Sequence, residues 1–217
     1  EAHSGRGLYD LTGPEAVKTG EAAAGIGRVE GRFAPDHPYL RALAHARGIG
    51  GKTAYPGSPM IAKALLREDD RITLAERHPA EVAALRQALT GADIRETDGV
   101  EMALSLVPPT PRRGLLMIDP SYEVKTEFAT MPKLLKQLHR KWPVGVLMLW
   151  YPILASGAEA PLVKALADLP ENCLHHRLHF PPARPGHGMT GSGMVVLNPP
   201  WGLEDSAAGI ARVASGG

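Results

Sequence analysis

From residue 71 onward the sequence alternates apolar strand-like runs with amphipathic helical ones, and this alternation is its strongest constraint. RITLAE (71–76) reads as a strand and PAEVAALRQALTG (79–91) as a helix closed by Gly91. ADIRETDG (92–99) reads as a strand, 100–107 as a short helix and RRGLLMIDPSY (112–122) as an apolar strand. A helix over 127–141, a strand over 143–152, a helix over 159–169 and strands over 173–180 and 193–201 follow. Strands alternating with helices predict an α/β fold with a mostly parallel sheet. Only a loop separates the last two strands, which predicts an antiparallel pair.

Upstream the pattern differs. Residues 1–7 (EAHSGRG) read as a glycine-rich turn of the kind that follows a strand, so a strand is expected before Glu1. The absence of an initial Met and the abrupt polar tail at 203–217 predict that pieces are missing at both ends. Helices are predicted over 13–30, with Pro14 as its first residue, and over 36–47. Tyr55–Pro59 is expected to turn into a helix capped by Ser58, with Pro59 its first residue.

Composition narrows the class. Of 217 residues, 44% are hydrophobic and 22% charged, as in an ordinary soluble domain. No apolar run reaches the roughly 18 residues of a membrane span, so no membrane partner is expected. The single Cys173 excludes an intramolecular disulfide framework and a Cys-rich zinc site, and fits a reducing cytoplasm. A net charge of +1 does not mark a protein living mainly on phosphate contacts, although a local basic patch is compatible with it.

In open α/β sheets, ligands sit at the carboxyl ends of the strands. There the sequence places the His3–Gly7 turn, then Glu76, then Asp98 with Gly99, then Asp119. The three acids are spaced by 22 and 21 residues, one per strand–helix unit. An acid at one strand tip suits two ribose hydroxyls, the next tip with its glycine suits the edge of an adenine, and Gly5 and Gly7 allow close backbone approach. The turn lacks G-x-G-x-x-G and Gly-Lys-Ser/Thr, which speaks against a dinucleotide or phosphate-cradling loop. For His3, ligand contact and a plain turn role stay equally open.

Asp119-Pro120-Ser121-Tyr122 is the most informative tetrapeptide. The Asp119 carboxylate and the Pro120 carbonyl can each accept a hydrogen bond from a flat exocyclic amine, which suits methyl transfer to that nitrogen. Tyr122 is expected to stack on the base, which must leave its helix to enter a pocket. Asn198-Pro199-Pro200-Trp201 looks still more like an amine-methylating motif, but it follows the wrong strand, and a structural or pocket-wall role is favoured. His175, His176 and His179 are expected at the surface or in structural roles, and no metal site is predicted. The glycine-dense 186–193 stretch is read either as a mobile lid or as a plain connection. Arg112, Arg113 and the basic 133–141 stretch fit either a rim for RNA or a solvated helix face.

Taken together, the motifs resemble the 23S ribosomal RNA adenine-N6 methyltransferases of the J type, a family with an older label for involvement in the catabolism of external DNA. The matching segments are 3–7, 55–59, 76–79, 97–99, 112–123, 149–152 and 188–201, in order along nearly the whole chain. The resemblance implies a class I S-adenosylmethionine-dependent, Rossmann-like fold with a seven-stranded, mostly parallel sheet whose first strand is absent. It implies a methyltransferase domain of residues 1–11 and 51–217 and a helical insertion of residues 12–50. It also implies that His3, Ser58, Glu76, Asp98, Gly99 and Asp119 contact S-adenosylmethionine, with Asp119 accepting from the adenine amine. The family usually reads Asp-Pro-Pro-Tyr, so Ser121 removes turn rigidity while leaving both acceptor atoms.

The expectation is therefore a monomeric cytoplasmic enzyme methylating adenine N6 in 23S ribosomal RNA, either protein-free or in an early assembly intermediate. DNA adenine presents the same amine and is the first alternative. The other is a catalytically weak nucleic-acid-binding protein linked to the use of external DNA.

Overall fold

The structure is a computed structural model that describes residues 1–13, 16 and 25–215. Most of the helix predicted over 13–30, including Pro14, lies outside the described residues. The rest forms two compact units, one of Glu1 and His3–Gly99, the other of Ala2 and Val100–Gly217.

The first unit opens with the turn 3–7 and strand β1 (Leu8–Asp10), antiparallel to β2 (Ala54–Pro56). Pairing makes residues 54–56 a strand where the sequence suggested only a turn. Between them lie α1 (Ile26–Val29), a 3₁₀ turn at Glu30–Arg32 and α2 (Pro38–Gly50). α2 starts at Pro38, whose missing N–H costs nothing there, and the His37 Nδ1 accepts the Tyr39 N–H. Helix α3 (Ser58–Leu65) takes Gly57, not Ser58, as its N-cap, and Ser58 is its first residue. Strands β3 (Thr73–Glu76) and β4 (Asp93–Glu96) pair in parallel, joined by α4 (Pro79–Ala88). The core gathers Ala46, Met60, Leu74, Leu85 and Leu89. Glu1 and Ser4 dock on β3: the Thr73 carbonyl accepts the Glu1 nitrogen, the Glu1 carbonyl accepts the Ala75 N–H, and the Ala75 carbonyl accepts the Ser4 N–H.

The second unit holds a four-stranded sheet in the order β5-β6-β8-β7. Its strands are β5 (Leu115–Ile118), β6 (Val146–Leu154), β7 (Cys173–His179) and β8 (Met189–Leu197). β5 and β6 are parallel, while β8 runs antiparallel to β6 and β7, as expected for the last pair. Helices α5 (Gly99–Leu106), α6 (Glu127–Lys141), α7 (Ala160–Leu166) and α8 (Leu203–Ser215) complete it. α6 has the predicted boundaries and buries Phe128, Met131, Leu134, Leu135 and Leu138. They join Ile118, Trp142, Leu147, Leu149, Tyr151 and Leu197 in the main core.

The glycine-dense stretch is corrected by β8. Residues 191–193 are paired on both sides and Met189 is paired with β6, so the reading of 186–193 as a lid fails for this part. A Cβ on Gly193 would lie 2.0 Å from the Tyr151 ring, and one on Gly191 would lie 2.5 Å from the Leu178 carbonyl oxygen. These glycines exist for close packing, a need that a loop composition conceals. No described helix is long and apolar enough to cross a membrane.

Candidate active site

In the first unit the predicted ligand residues converge on the carboxyl end of β3. Gly5 and Gly7 have φ of 57° and 72°, and a Cβ at either would collide with Tyr9 or Leu85. The turn is held from below by Glu76: its Oε2 accepts the Gly5 N–H at 2.8 Å. Its Oε1 accepts the N–H groups of Arg77 and His78 at 2.7 and 2.8 Å. A carboxylate has about four lone-pair sites, so the freest one left is on Oε2. Arg6 reinforces the turn through a bidentate pair with Glu81, at 3.0 and 2.6 Å.

His3 packs beside these acids. Burial holds its pKa below the usual histidine range, although Asp98 and Glu76 pull the other way. Its Nδ1 and the Ser4 Oγ are buried with no partner among the described residues. Asp98 is partly exposed, 3.8 Å from the Arg77 guanidinium, and Gly99 follows at the start of α5. Ser58 donates its hydroxyl to the Glu1 carboxylate at 2.5 Å. Glu1 thus joins the cluster, which sequence reading missed: a single acid before a glycine turn carries no periodic signal of its own.

The second unit presents Asp119 at the carboxyl end of β5. Its carboxylate has no hydrogen-bond or ion-pair partner among the described residues, and burial pushes its pKa up to about 6. Pro120 is buried and Ser121 exposed. Tyr122 has φ 55°, a left-handed conformation costing a bulky residue roughly 1–2 kcal/mol. Its hydroxyl donates to the Trp150 carbonyl at 2.7 Å, and its ring stacks on Phe128 with centroids 4.6 Å apart. The ring is only 7% exposed, so little of either face is open to a base in this conformation.

A family model described as "Ribosomal RNA large subunit methyltransferase D, RlmJ" matches residues 1–213. The chain belongs to this family. It is 35% identical over 211 residues to a protein of Escherichia coli named ribosomal RNA large subunit methyltransferase J, covering 94% of this chain and 75% of the relative. The same name, identity and coverage hold for a Haemophilus influenzae relative over 212 residues. A crystal structure of a Legionella pneumophila protein shares 30% identity and a TM-score of 0.86, covering 99% of this chain and 81% of that one.

For this methyltransferase family member, the competing Asn198-Pro-Pro-Trp motif carries a framework role. The Asn198 amide donates to the carbonyls of Pro143 and Gly145 at 2.7 and 2.8 Å and accepts from Asn172 at 3.1 Å. That work occupies the side chain and ties three loops together. The histidines of β7 divide by face: His175 and His179 are exposed, and the His175 Nε2 lies 2.6 Å from the Tyr151 hydroxyl. Among the described residues, no group of three or more His, Cys, Asp or Glu is placed to hold a metal ion.

Proposed function

We propose that the chain transfers a methyl group from S-adenosylmethionine to adenine N6 in 23S ribosomal RNA. The observation that carries this is Asp119: a desolvated carboxylate, with no hydrogen-bond or ion-pair partner among the described residues, at a strand end and beside the Pro120 carbonyl. Near neutral pH it is mainly ionised and accepts a hydrogen bond from an exocyclic amine. That orients the nitrogen lone pair and takes up positive charge as the new bond forms. Tyr122 fixes the turn through Trp150 and Phe128, so that Asp119 and the Pro120 carbonyl keep their spacing.

The first unit fits the donor on its own terms. His3 Nδ1 and Ser4 Oγ are buried polar atoms with no partner among the described residues, and Glu76 keeps an acceptor site. His3, Gly5, Gly7, Ser58, Glu76, Asp98 and Gly99 would hold S-adenosylmethionine, which supplies an electrophilic methyl group when bound. The reading extends to a Rossmann-like class I frame, residues 12–50 as a helical insertion, and a monomer acting in the cytoplasm. The E. coli and H. influenzae names support the ribosomal substrate.

The test is methyl incorporation from labelled donor into protein-free 23S RNA, with duplex and single-stranded DNA alongside. RNA is expected to be labelled at adenine N6, and Asp119→Ala to lose at least about a hundredfold in rate. Preferential labelling of DNA would overturn the substrate; equal rates for Asp119→Ala would overturn the mechanism.

A further inference from the structure

Charge is unevenly spread along the second unit. No Asp or Glu lies between Glu171 and Glu204, while the same stretch holds Arg177, Arg184 and four of the nine histidines. All of these basic residues fall on β7 or on the connection 180–188 that follows it. β7 is the edge strand of the order β5-β6-β8-β7, so one of its flanks is paired with no strand among the described residues. Along it His175, Arg177 and His179 share one face, and all three are exposed. Their partners on β8 are Val195, Gly193 and Gly191, so no β8 side chain stands beside Arg177 or His179. The Tyr151 hydroxyl, 2.6 Å from the His175 Nε2, holds the first of the three in place.

Strand geometry sets the spacing of this row. Alternate residues lie about 6.5–7 Å apart, a step comparable with that between phosphates of an extended nucleic-acid strand. Strand direction sets where the row leads. β7 is antiparallel to β8 and β8 to β6, so β7 points the same way as β5 and β6. The His179 end of β7 is therefore the Asp119 end of the sheet. There the Gly188 carbonyl accepts the Ala155 N–H at 2.8 Å, which pins the connection carrying the exposed Arg184 just past the end of β6. The balanced total charge conceals the row, because the acids sit elsewhere in the chain.

We propose that His175, Arg177, His179 and Arg184 form a phosphate track for single-stranded RNA, carrying the strand that flanks the target adenine toward Asp119. The identity of the strand rests on the ribosomal RNA reading given above. The two arginines supply charge and forked N–H donors to phosphate oxygens, and the imidazoles add ring N–H donors. Such contacts position a strand without reading its bases, so the choice of adenine stays with the Asp119 end.

The experiment measures equilibrium binding of a short, labelled, adenine-containing single-stranded RNA over a salt series, with no methyl transfer needed. Arg177→Ala and Arg184→Ala are each expected to weaken binding about three- to tenfold and to flatten the slope of log affinity against log salt by about 0.7. Arg177→Lys keeps the charge and is expected to keep the slope. Arg113→Ala, just before β5 at the opposite end of the sheet, is expected to leave the slope at the parental value. Affinity for S-adenosylmethionine and the thermal midpoint should hold in both alanine variants of the track. Parental RNA affinity and slope in both of them would overturn the track. An equal loss in Arg113→Ala would also overturn it, because the effect would then be one of bulk charge. So would an equal loss on duplex RNA, or displacement of the RNA by polyglutamate as readily as by unlabelled RNA, which would mark a general surface for acidic chains. A parent that binds RNA through both arginines yet methylates none would overturn the functional reading and leave the track standing.

Discussion

Glu76 and Asp119 both sit at the carboxyl ends of parallel-paired strands, yet their surroundings are opposite. Glu76 accepts three backbone N–H groups and organises a glycine turn and the approach to α4. Asp119 accepts none among the described residues, and burial raises its pKa to about 6. A saturated carboxylate is a framework element that also presents one remaining acceptor site. A bare, desolvated one is held at a cost to stability and is ready to gain a partner. Similar sequence positions therefore separate into holding and reacting roles, and the hydrogen-bond inventory tells them apart.

Four measurements would break or sharpen this contrast. The largest effect belongs to Asp119→Ala, expected to cut kcat by about 10²–10⁴-fold while leaving donor affinity within a few-fold in equilibrium binding. A comparable loss of donor affinity would erase the difference in roles. Glu76→Ala is expected to do the reverse: it weakens donor binding about tenfold or more and lowers unfolding free energy by roughly 1–3 kcal/mol, because three backbone N–H groups lose a charged acceptor. Normal stability in denaturant titration would show that Glu76 holds nothing.

The third effect is on pH. The rate should be half-maximal near pH 6 and fall about tenfold per unit below, as protonation removes the acceptor at Asp119. A kcat profile flat down to pH 5 would contradict this. The smallest effect is on stability. The folded pKa of Asp119 is raised above its ordinary 3.8, so the folded state binds the proton more tightly and ionisation destabilises it. The penalty is absent below about pH 4, grows through pH 6 and is complete above. Asp119→Asn should therefore raise stability near pH 7, by at most about 3 kcal/mol, and show no gain at pH 4. A destabilised Asn variant at neutral pH would mean that Asp119 has a partner in the folded protein.

Much of this arrangement was legible in the residues. The apolar run 115–118 followed by Asp119 announced a strand with an acid at its tip, and the 3.6-residue period of Phe128, Met131, Leu135 and Leu138 delimited α6. Hydrogen-bond roles were not legible. Nothing in the sequence distinguishes Glu76, with three donors, from Asp119, with none among the described residues. Tyr122 looked like an open stacking surface because burial by Phe128 and anchoring by Trp150 depend on residues 6 and 28 positions away. Gly191 and Gly193 read as part of a lid or a plain connection because what needs them, the Leu178 carbonyl on β7 and the Tyr151 ring on β6, lies on other strands.

The order β5-β6-β8-β7 also has a consequence for how the polypeptide is made. β7 leaves the ribosome before β8, yet β8 is its partner in the sheet and lies between it and β6. Until residue 197 has emerged, β7 waits without a neighbour and the edge of β6 stays open. The sheet closes by insertion rather than by growth at its rim, so the nascent chain cannot complete this layer strand by strand. Translation pausing after about residue 180 would prolong an intermediate with two unpaired edges, the form most exposed to aggregation.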